Sequence, residues 1–166
     1  MIRLARPDDV PAVAEVETSA ATVFAGTHMD FAANEQPNDP ADLRAAIAID
    51  LMWVAIEDDA IAGFVFAEPC DVGLYVRELS VAAPYQQRGH GTALMAACIA
   101  AARTRGDAVL VLTTDRTLVW NAPFYRCLGF AIVEGDAIPQ VAQKRLRRQF
   151  AADFDPADRC AMVMAL

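Results

Sequence analysis

The chain has 166 residues, of which 55% are hydrophobic and 22% charged, and its formal net charge is -8. This length and composition fit one globular domain over residues 1–166 and argue against a disordered chain. The negative charge argues against broad nucleic-acid binding, because neutralising phosphates requires clustered Lys and Arg, and it suits either a cationic substrate or simple solubility.

The four cysteines, at positions 70, 98, 127 and 160, are far apart and form no C-x-x-C pair. We therefore expect no zinc site or other metal, and we expect Cys98 and Cys127 to be small core residues. The first residues contain no apolar run typical of a signal peptide, and no apolar run reaches the roughly 18 residues of a membrane span. These features predict a cytoplasmic protein with no membrane partner.

The first half of the chain alternates between helical and strand periodicity. Valines spaced three residues apart indicate a helix after the first strand, and a pair of aspartates separates two apolar runs as a hairpin turn does. A loop rich in aromatic, acidic and turn-forming residues is either plain surface or grips a substrate. In chain order we predict a strand at 2–5, a helix beginning near Pro7, a loop at 22–40, a helix from near Pro40 to Ile49, and strands at 51–57 and 61–67.

The second half contains a strand, a helix and a further strand in succession, which implies a parallel crossover. Antiparallel strands on either side of it make the fold class α/β of the mixed α+β kind. The last strand, AMVMAL, could pair across a homodimer. In chain order we predict a strand at 73–81, a helix from Gly89 to Arg105, a strand at 108–113, a short helix at 120–128, a strand at 130–134, a helix at 140–150 and a strand at 161–166.

Residues 74–94, LYVRELSVAAPYQQRGHGTAL, predict a strand, a polar turn and a helix that follows a Gly-x-Gly step. The absence of side chains at Gly89 and Gly91 lets the backbone approach a ligand, and the N–H groups of a helix start point toward an anion. Two common nucleotide motifs do not fit. A Walker loop needs a Lys after its last glycine, and a Rossmann fingerprint needs a third glycine where Leu94 stands.

With these residues the sequence resembles the GNAT superfamily of acyl-CoA-dependent N-acetyltransferases. The hallmark Gln/Arg-x-x-Gly-x-Gly/Ala matches Gln86, Gly89 and Gly91, and an aromatic pair followed by Leu-Gly-Phe matches residues 124–125 and 128–130. The resemblance implies a single domain with a central, mostly antiparallel sheet, a splayed parallel strand pair and flanking helices. It also implies acetyl-CoA as co-substrate and transfer of an acetyl group to a primary amine.

The resemblance further implies a general acid and a general base. Tyr125 would give its proton to the departing thiolate, since a phenol of pKa about 10 is comparable to a thiol in acidity; the alternative is a core aromatic. Glu78 would accept the proton of the amine, with help from burial or a water chain because an ordinary carboxylate is a weak base. The alternative for Glu78 is a structural acid, either at a strand edge or in a salt bridge with a residue such as Arg77 or Arg88.

In the family, main-chain groups of the strand before the loop pair with the pantetheine arm. Many members also carry an Asn about two helical turns before the tyrosine, whereas Asn121 is only four residues before Tyr125. Asn121 either reaches the pantetheine arm or caps the short helix, and both interpretations are open. The residues expected to contact coenzyme A are Leu79, Ser80, Val81, Gln86, Gln87, Arg88, Gly89, His90, Gly91, Thr92 and Asn121.

The sequence leaves the acceptor open among small amines, amino acids, antibiotics, peptide N-termini and lysine side chains. The acidic balance favours a small cationic molecule, and Asp30, Phe31, Glu35 and Trp53 are the candidate pocket residues. Two alternatives remain for the protein: an enzyme that uses a longer acyl-CoA, and a sensor or interaction module that binds coenzyme A without turnover. Tyr125 favours an enzyme, because a non-catalytic module would not require it.

Overall fold

Strand β4, Gly73–Val81, leads into the Gly-x-Gly loop and belongs to both units into which the fold divides. The structure is a computed structural model and describes residues 1–152 and 154–166. The first unit comprises Met1–Glu68 and Arg77–Ala100, and the second comprises Pro69–Val76 and Ala101–Leu166. The organisation of residues 1–166 as one domain stays a prediction.

Seven strands form a mixed sheet that contains one parallel pair, which confirms the predicted α/β class. The first unit holds the β1-β2-β3-β4 part and the second holds the β4-β5-β7-β6 part. The parallel register of β4 and β5 joins Gly73–Tyr75 to Val109–Val111. Besides β4, the strands are β1 (Ile2–Leu4), β2 (Met52–Glu57), β3 (Ala60–Cys70), β5 (Val109–Asp115), β6 (Ala131–Val133) and β7 (Arg159–Ala165).

The helices begin and end at residues with clear local reasons. The side chain of Asp39 accepts the amide of Ala41 at 2.8 Å and so caps the second helix, whose first residue is Pro40. Gly106, with φ of 80°, follows the third helix as a C-terminal cap. The helices are α1 (Val10–Ala21), α2 (Pro40–Ala48), α3 (His90–Arg105), α4 (Ala122–Cys127) and α5 (Gln140–Phe150).

A hydrophobic core packs α1 and α2 of the first unit onto alternate residues of its strands. Val13 and Leu43 from the helices are buried with Val54 and Phe64 from the sheet. Each such side chain contributes about 1.5–3 kcal/mol on burial. Because this packing fixes α1 on the sheet, it also fixes the polar residues at the margin of the apolar stripe of α1. The second unit has its own cluster, formed by Tyr75, Val111, Ala142, Leu146 and Ala161.

Three expectations are wrong. β3 continues to Cys70, beyond the predicted end at residue 67, and so includes Pro69. A strand tolerates Pro where no partner needs its missing N–H. Cys98 is buried as expected, but Cys127 is exposed, because the six-residue helix α4 turns Tyr125 inward instead. The C-terminal strand β7 is hydrogen-bonded to both β5 and β6, so it is not an edge that could pair across a homodimer.

Gly73 has no room for a side chain. A Cβ at this position would lie 2.1 Å from the carbonyl oxygen of Val109 on the paired strand. We expect Gly73→Ala to lower the free energy of unfolding by about 3 kcal/mol, because the parallel pair must shift or separate. Urea unfolding measures this change.

Gly106→Ala is the matched control for that substitution. Its φ of 80° also disfavours a side chain, but a Cβ there would meet no atom within 4 Å. The control should therefore lose only about 1 kcal/mol. Equal losses in the two variants would contradict the close approach at Gly73.

Within residues 1–152 and 154–166, no helix combines the length and the apolar character that crossing a membrane requires.

Candidate functional site

The loop after β4 presents the start of α3 as a set of main-chain donors. Gly89 has φ of 85°, a conformation that favours glycine, and a Cβ on it would meet no atom within 4 Å. The amide of Ala93 bonds to the carbonyl of Gly89 at 3.0 Å. The amides of His90, Gly91 and Thr92 therefore precede the first intrahelical bond. A helix start of this kind attracts an anion.

The side chain of Gln86 ties this loop back to β4. Its Nε2 donates to the carbonyl oxygen of Val81 at 3.0 Å. The next residue, Gln87, is exposed and has φ of 60°. Gln86 therefore has a structural role, because this bond fixes where the loop leaves the strand. Its contact with coenzyme A stays a prediction.

Glu57, at the end of β2, binds two side chains of the loop, those of Arg88 and His90. One carboxylate oxygen lies 2.5 Å from Arg88 Nη1, and the other binds His90 Nε2. The guanidinium of Arg88 also lies over the ring of Tyr85, 5.6 Å from its centroid. Hydrogen bonds from His90 and then Arg88 lower the pKa of Glu57. The charge of Arg88 is therefore already balanced by a carboxylate, which the sequence did not indicate.

Glu78 lies in a polar cluster that also includes Glu17, Asn38 and Ser80. The Glu78 carboxylate accepts Asn38 Nδ2 at 2.5 Å and Ser80 Oγ at 2.7 Å. The same Nδ2 donates to Glu17 at 2.6 Å, and the Asn38 main-chain amide donates to both Glu17 oxygens at 2.9 and 3.0 Å. The two hydrogens of one side-chain amide thus serve two carboxyl groups. Chemically, this arrangement can accept, hold and release a proton.

Burial raises the pKa of Glu17 to about 8, and the neighbouring Glu78 carboxylate acts in the same direction, while hydrogen bonds from Asn38 oppose the rise. Sequence reasoning did not identify Glu17. A signal was present, because Glu17 lies next to Val16 and four residues after Val13, at the margin of the apolar stripe of α1. An acid at such a position faces the packed side of its helix.

The alternative in which Glu78 pairs with an arginine is wrong. Arg77 binds Glu68 and Asp42, each at 2.9 Å, and Arg88 binds Glu57. Successive strand residues point to opposite faces, so Arg77 and Glu78 are directed away from one another.

Tyr125 lies in α4 of the second unit and is only 8% exposed. Its ring meets those of Phe124 and Phe130 edge to face, with centroids 5.1 and 5.8 Å apart. Its carbonyl accepts the amides of Leu128 and Phe130 at 3.0 and 3.1 Å, which ends the helix and begins the next strand. The aromatic pair and the Leu-Gly-Phe motif therefore fix the position of one tyrosine.

Asn121 occupies the N-cap position of α4. Among the described residues, its side chain makes no capping hydrogen bond to the helix, and only its carbonyl serves the helix, accepting the amide of Tyr125 at 3.1 Å. The side-chain capping interpretation is therefore wrong. The contact of Asn121 with a pantetheine arm stays a prediction.

The predicted acceptor residues occupy two different settings. Asp30 and Phe31 are exposed in a short 3-10 helix, Asp30–Asn34, and Glu35 follows it. Asp30 accepts the amide of Gly26 at 2.6 Å, which closes this turn. Trp53 is 7% exposed within β2. The role of these four residues in an acceptor pocket stays a prediction.

The described part of the chain contains no group of three or more His, Cys, Asp or Glu residues arranged to hold a metal ion. The candidate groups are the main-chain donors of the loop and the carboxyl cluster in the first unit, and Tyr125 in the second.

Comparison with protein families gives a match over residues 48–132 to the model described as the acetyltransferase (GNAT) domain, just over half of the chain. The chain belongs to the GNAT acetyltransferase family. The matched segment of this GNAT protein runs from the end of α2 to β6 and includes the Gly-x-Gly loop, Glu78 and Tyr125.

Solved structures show the same fold over the whole chain. The PaiA N-acetyltransferase of Thermoplasma acidophilum, in complex with coenzyme A, has a TM-score of 0.74 at 15% identity and covers 100% of this chain and 98% of its own. The ribosomal-protein-alanine N-acetyltransferase of Brucella melitensis has a TM-score of 0.72 at 20% identity, with coverages of 100% and 99%.

A third similar structure is the N-acetylglutamate synthase of Neisseria gonorrhoeae, complexed with coenzyme A and N-acetyl-glutamate. Its TM-score is 0.73 at 18% identity, and the match covers 100% of this chain and 35% of that one. At these identities the likeness is one of fold alone, and a fold does not fix the acceptor.

Proposed function

We propose that this GNAT protein transfers an acetyl group from acetyl-CoA to a primary amine of a small acceptor. The observation that carries the proposal is the loop that opens α3, where Gly89 leaves open space beside the amides of His90, Gly91 and Thr92. Three amides at a helix start suit a diphosphate. Family membership supports acyl transfer as the chemistry.

The residues present fit coenzyme A. The amides of His90, Gly91 and Thr92 would hold the diphosphate, and the main chain of Leu79, Ser80 and Val81 would pair with the pantetheine arm. Gln86 keeps the loop in place through its bond to Val81. When bound, acetyl-CoA supplies an activated thioester. The chain's own part is to bind it, to exclude water and to move protons.

Two side chains move the protons. Glu78 accepts a proton from the acceptor's ammonium group, and the freed lone pair forms the N–C bond as the C–S bond breaks. Tyr125 gives a proton to the thiolate and regains one, through solvent, from the nitrogen that has become an amide. The sum is one amide, one thiol and one proton released. General acid–base steps of this kind contribute about 10²–10⁴-fold each.

The acceptor that we propose is a small cationic amine. The formal charge of -8 and the carboxyl cluster of Glu17 and Glu78 both favour a positively charged group. Peptide N-termini are the other class in view, since the Brucella melitensis relative is named as a ribosomal-protein-alanine N-acetyltransferase. A panel that contains both classes separates them.

We also propose that the protein acts in the cytoplasm. The cysteines at positions 70, 98, 127 and 160 are all free, as is usual in a reducing compartment. Its assembly as a homodimer is a further proposal, and light scattering of the purified protein tests it.

Gly89→Ala should raise the Kd for acetyl-CoA about tenfold, because the new methyl group occupies the space above the loop and the φ of 85° becomes strained. Calorimetry measures this Kd. Gly106→Ala is the control, since its φ of 80° and open surroundings match those of Gly89 at the other end of α3. Equal affinity in the two variants would show that the loop does not hold the cofactor.

A thermal-shift assay combined with thiol release separates the transferase from its alternatives. The proposal predicts stabilisation by acetyl-CoA, followed by thiol release that depends on an added amine. Stabilisation without release across a broad amine panel would instead support a coenzyme A sensor. Thiol release from a longer acyl-CoA, with none from acetyl-CoA, would support the alternative enzyme that uses a longer acyl donor.

A further inference from the structure

The carboxyl pair of Glu17 and Glu78 addresses a difficulty in the proposed reaction. An ordinary carboxylate has a pKa of about 4.3, whereas an alkyl ammonium has one near 10, so a lone carboxylate takes the proton only with a large energetic penalty. Two carboxyl groups that interact strongly bind their protons in two separate steps. The second group therefore changes what the first can do.

We infer that Glu17 and Glu78 act as one proton-accepting pair, in which Glu17 is the positioning residue and Asn38 is the bridge between the two carboxyl groups. The inference rests on the proposed function and assigns a role to Glu17 that Glu78 alone cannot fill. Glu78 takes the ammonium proton, so that an N–H bond breaks and an O–H bond forms. The pair then releases this proton to solvent after the product leaves.

The geometry that carries the inference lies wholly in the first unit. Asn38 Nδ2 is 2.6 Å from Glu17 Oε1 and 2.5 Å from Glu78 Oε2, so one amide group spans both side chains. Ser80 Oγ adds a donor to Glu78 at 2.7 Å. Glu17 is half-buried on α1 and is held there by the packing of Val13 and Val16. Two carboxylates bridged in this way repel each other, which favours uptake of one proton.

The electrostatics agree with this geometry. Burial and the nearby Glu78 carboxylate raise the pKa of Glu17 to about 8, against the hydrogen bonds from Asn38. Because the two carboxyl groups interact, proton uptake belongs to the pair, and the pair is better matched to an amine than an isolated carboxylate is.

Charged groups on the neighbouring elements are engaged elsewhere or exposed. Asp9 is bonded to Arg3, and Arg77 binds both Asp42 and Glu68. The remaining charged or titratable residues on the elements and loop packed around α1 and this part of β4 are all exposed: Arg6, Asp8, Glu15, His28, Asp30, Glu35, Asp39 and Arg44.

The test is the dependence of kcat on pH for one acceptor amine in three variants. Glu17→Gln keeps the size of the side chain and removes the second carboxyl group. We expect it to lower kcat about tenfold. We also expect the ascending limb of the kcat–pH profile to move to lower pH by about one unit or more. Asn38→Ala keeps the main-chain amide but removes the side-chain donor that the two carboxyl groups share, so it should move the ascending limb of the profile to higher pH. Glu15→Gln removes an exposed charge on the same helix and should move nothing.

Opposite shifts in the two variants distinguish proton binding from a structural role, because simple damage to the fold would lower kcat without moving the limb in opposite directions. Limbs that coincide in wild type, Glu17→Gln and Asn38→Ala would overturn the inference. The acceptor's own ionisation is common to all variants and cancels in the comparison.

A second readout needs no turnover. A carboxyl group whose pKa is raised on folding contributes stability that is fully present below about pH 4.5 and is lost as the pH rises through about 8. The wild-type Tm should therefore fall over this range by about 3 °C more than the Tm of Glu17→Gln. Parallel profiles of Tm against pH in wild type and Glu17→Gln would overturn the inference that the two carboxyl groups act as a pair. A wild type that shows this fall in Tm but transfers no acetyl group would instead overturn the proposed function.

Discussion

We expect Tyr125→Phe to lower kcat about 10²–10³-fold and to leave the Kd for acetyl-CoA nearly unchanged. The substitution removes one hydroxyl and keeps the ring, whose edge-to-face contacts with Phe124 and Phe130 hold α4 in place. The thiolate then leaves without a proton donor, so the barrier for breaking the C–S bond rises. Steady-state thiol release measures kcat, and calorimetry measures the Kd.

Tyr75→Phe is the matched control for Tyr125→Phe. Tyr75 is also a buried tyrosine of the second unit, and its hydroxyl lies 2.7 Å from Thr113 Oγ1. Losing that bond costs about 1 kcal/mol of stability and should leave kcat within about twofold of wild type. If Tyr125→Phe also turns over at the wild-type rate, the tyrosine is a core aromatic and not the general acid.

Glu78→Gln should lower kcat about 10²-fold and remove the part of the pH dependence that reports proton uptake from the amine. The amide side chain of Gln still accepts from Ser80 and can accept from Asn38, so the cluster keeps its shape. What is lost is the ability to take a proton. The measurement is the profile of kcat against pH with one acceptor.

Glu68→Gln provides the comparison for that profile. Glu68 is another half-buried acid, on the neighbouring strand β3, and it binds Arg77. Its replacement breaks an ion pair without touching the carboxyl cluster, so stability should fall slightly while the pH profile stays that of wild type. A Glu78→Gln profile that overlays the wild-type one would exclude Glu78 as the base.

Local patterns predicted most of the fold. The bounds of β4 and α5 were predicted as residues 73–81 and 140–150, and both are confirmed. Each is a continuous periodic run closed by turn or capping residues, so the information lies within the segment itself. The same holds for the Gly-x-Gly loop, where the motif and the positive φ of Gly89 occur at one point in the chain.

The carboxyl cluster could not be predicted in the same way. Glu17 and Asn38 are 21 residues apart, and Asn38 and Glu78 are 40 apart, so only the packing of α1 on the sheet brings them together. Glu57 and His90, separated by 33 residues, meet for the same reason. The local patterns of a single sequence carry no information on which distant residues will be in contact.

Cys127 shows a different limit. Helix α4 has six residues, less than two turns, and so short a stretch contains too little periodicity to distinguish its buried side from its exposed side. The apolar neighbours of Cys127 in sequence therefore gave the wrong prediction of its burial. Tyr125 was singled out only because it belongs to a motif, and its catalytic role stays a prediction.

The most direct test of the account is an acetylation screen read by mass spectrometry. The protein is incubated with acetyl-CoA and a panel of small amines, amino acids, aminoglycoside-type antibiotics and peptides with free N-termini. We expect at least one acetylated primary amine, formed in step with coenzyme A thiol and at least about 10²-fold more slowly in Tyr125→Phe and Glu78→Gln. Binding of acetyl-CoA with no acetylated product from any member of the panel would contradict it.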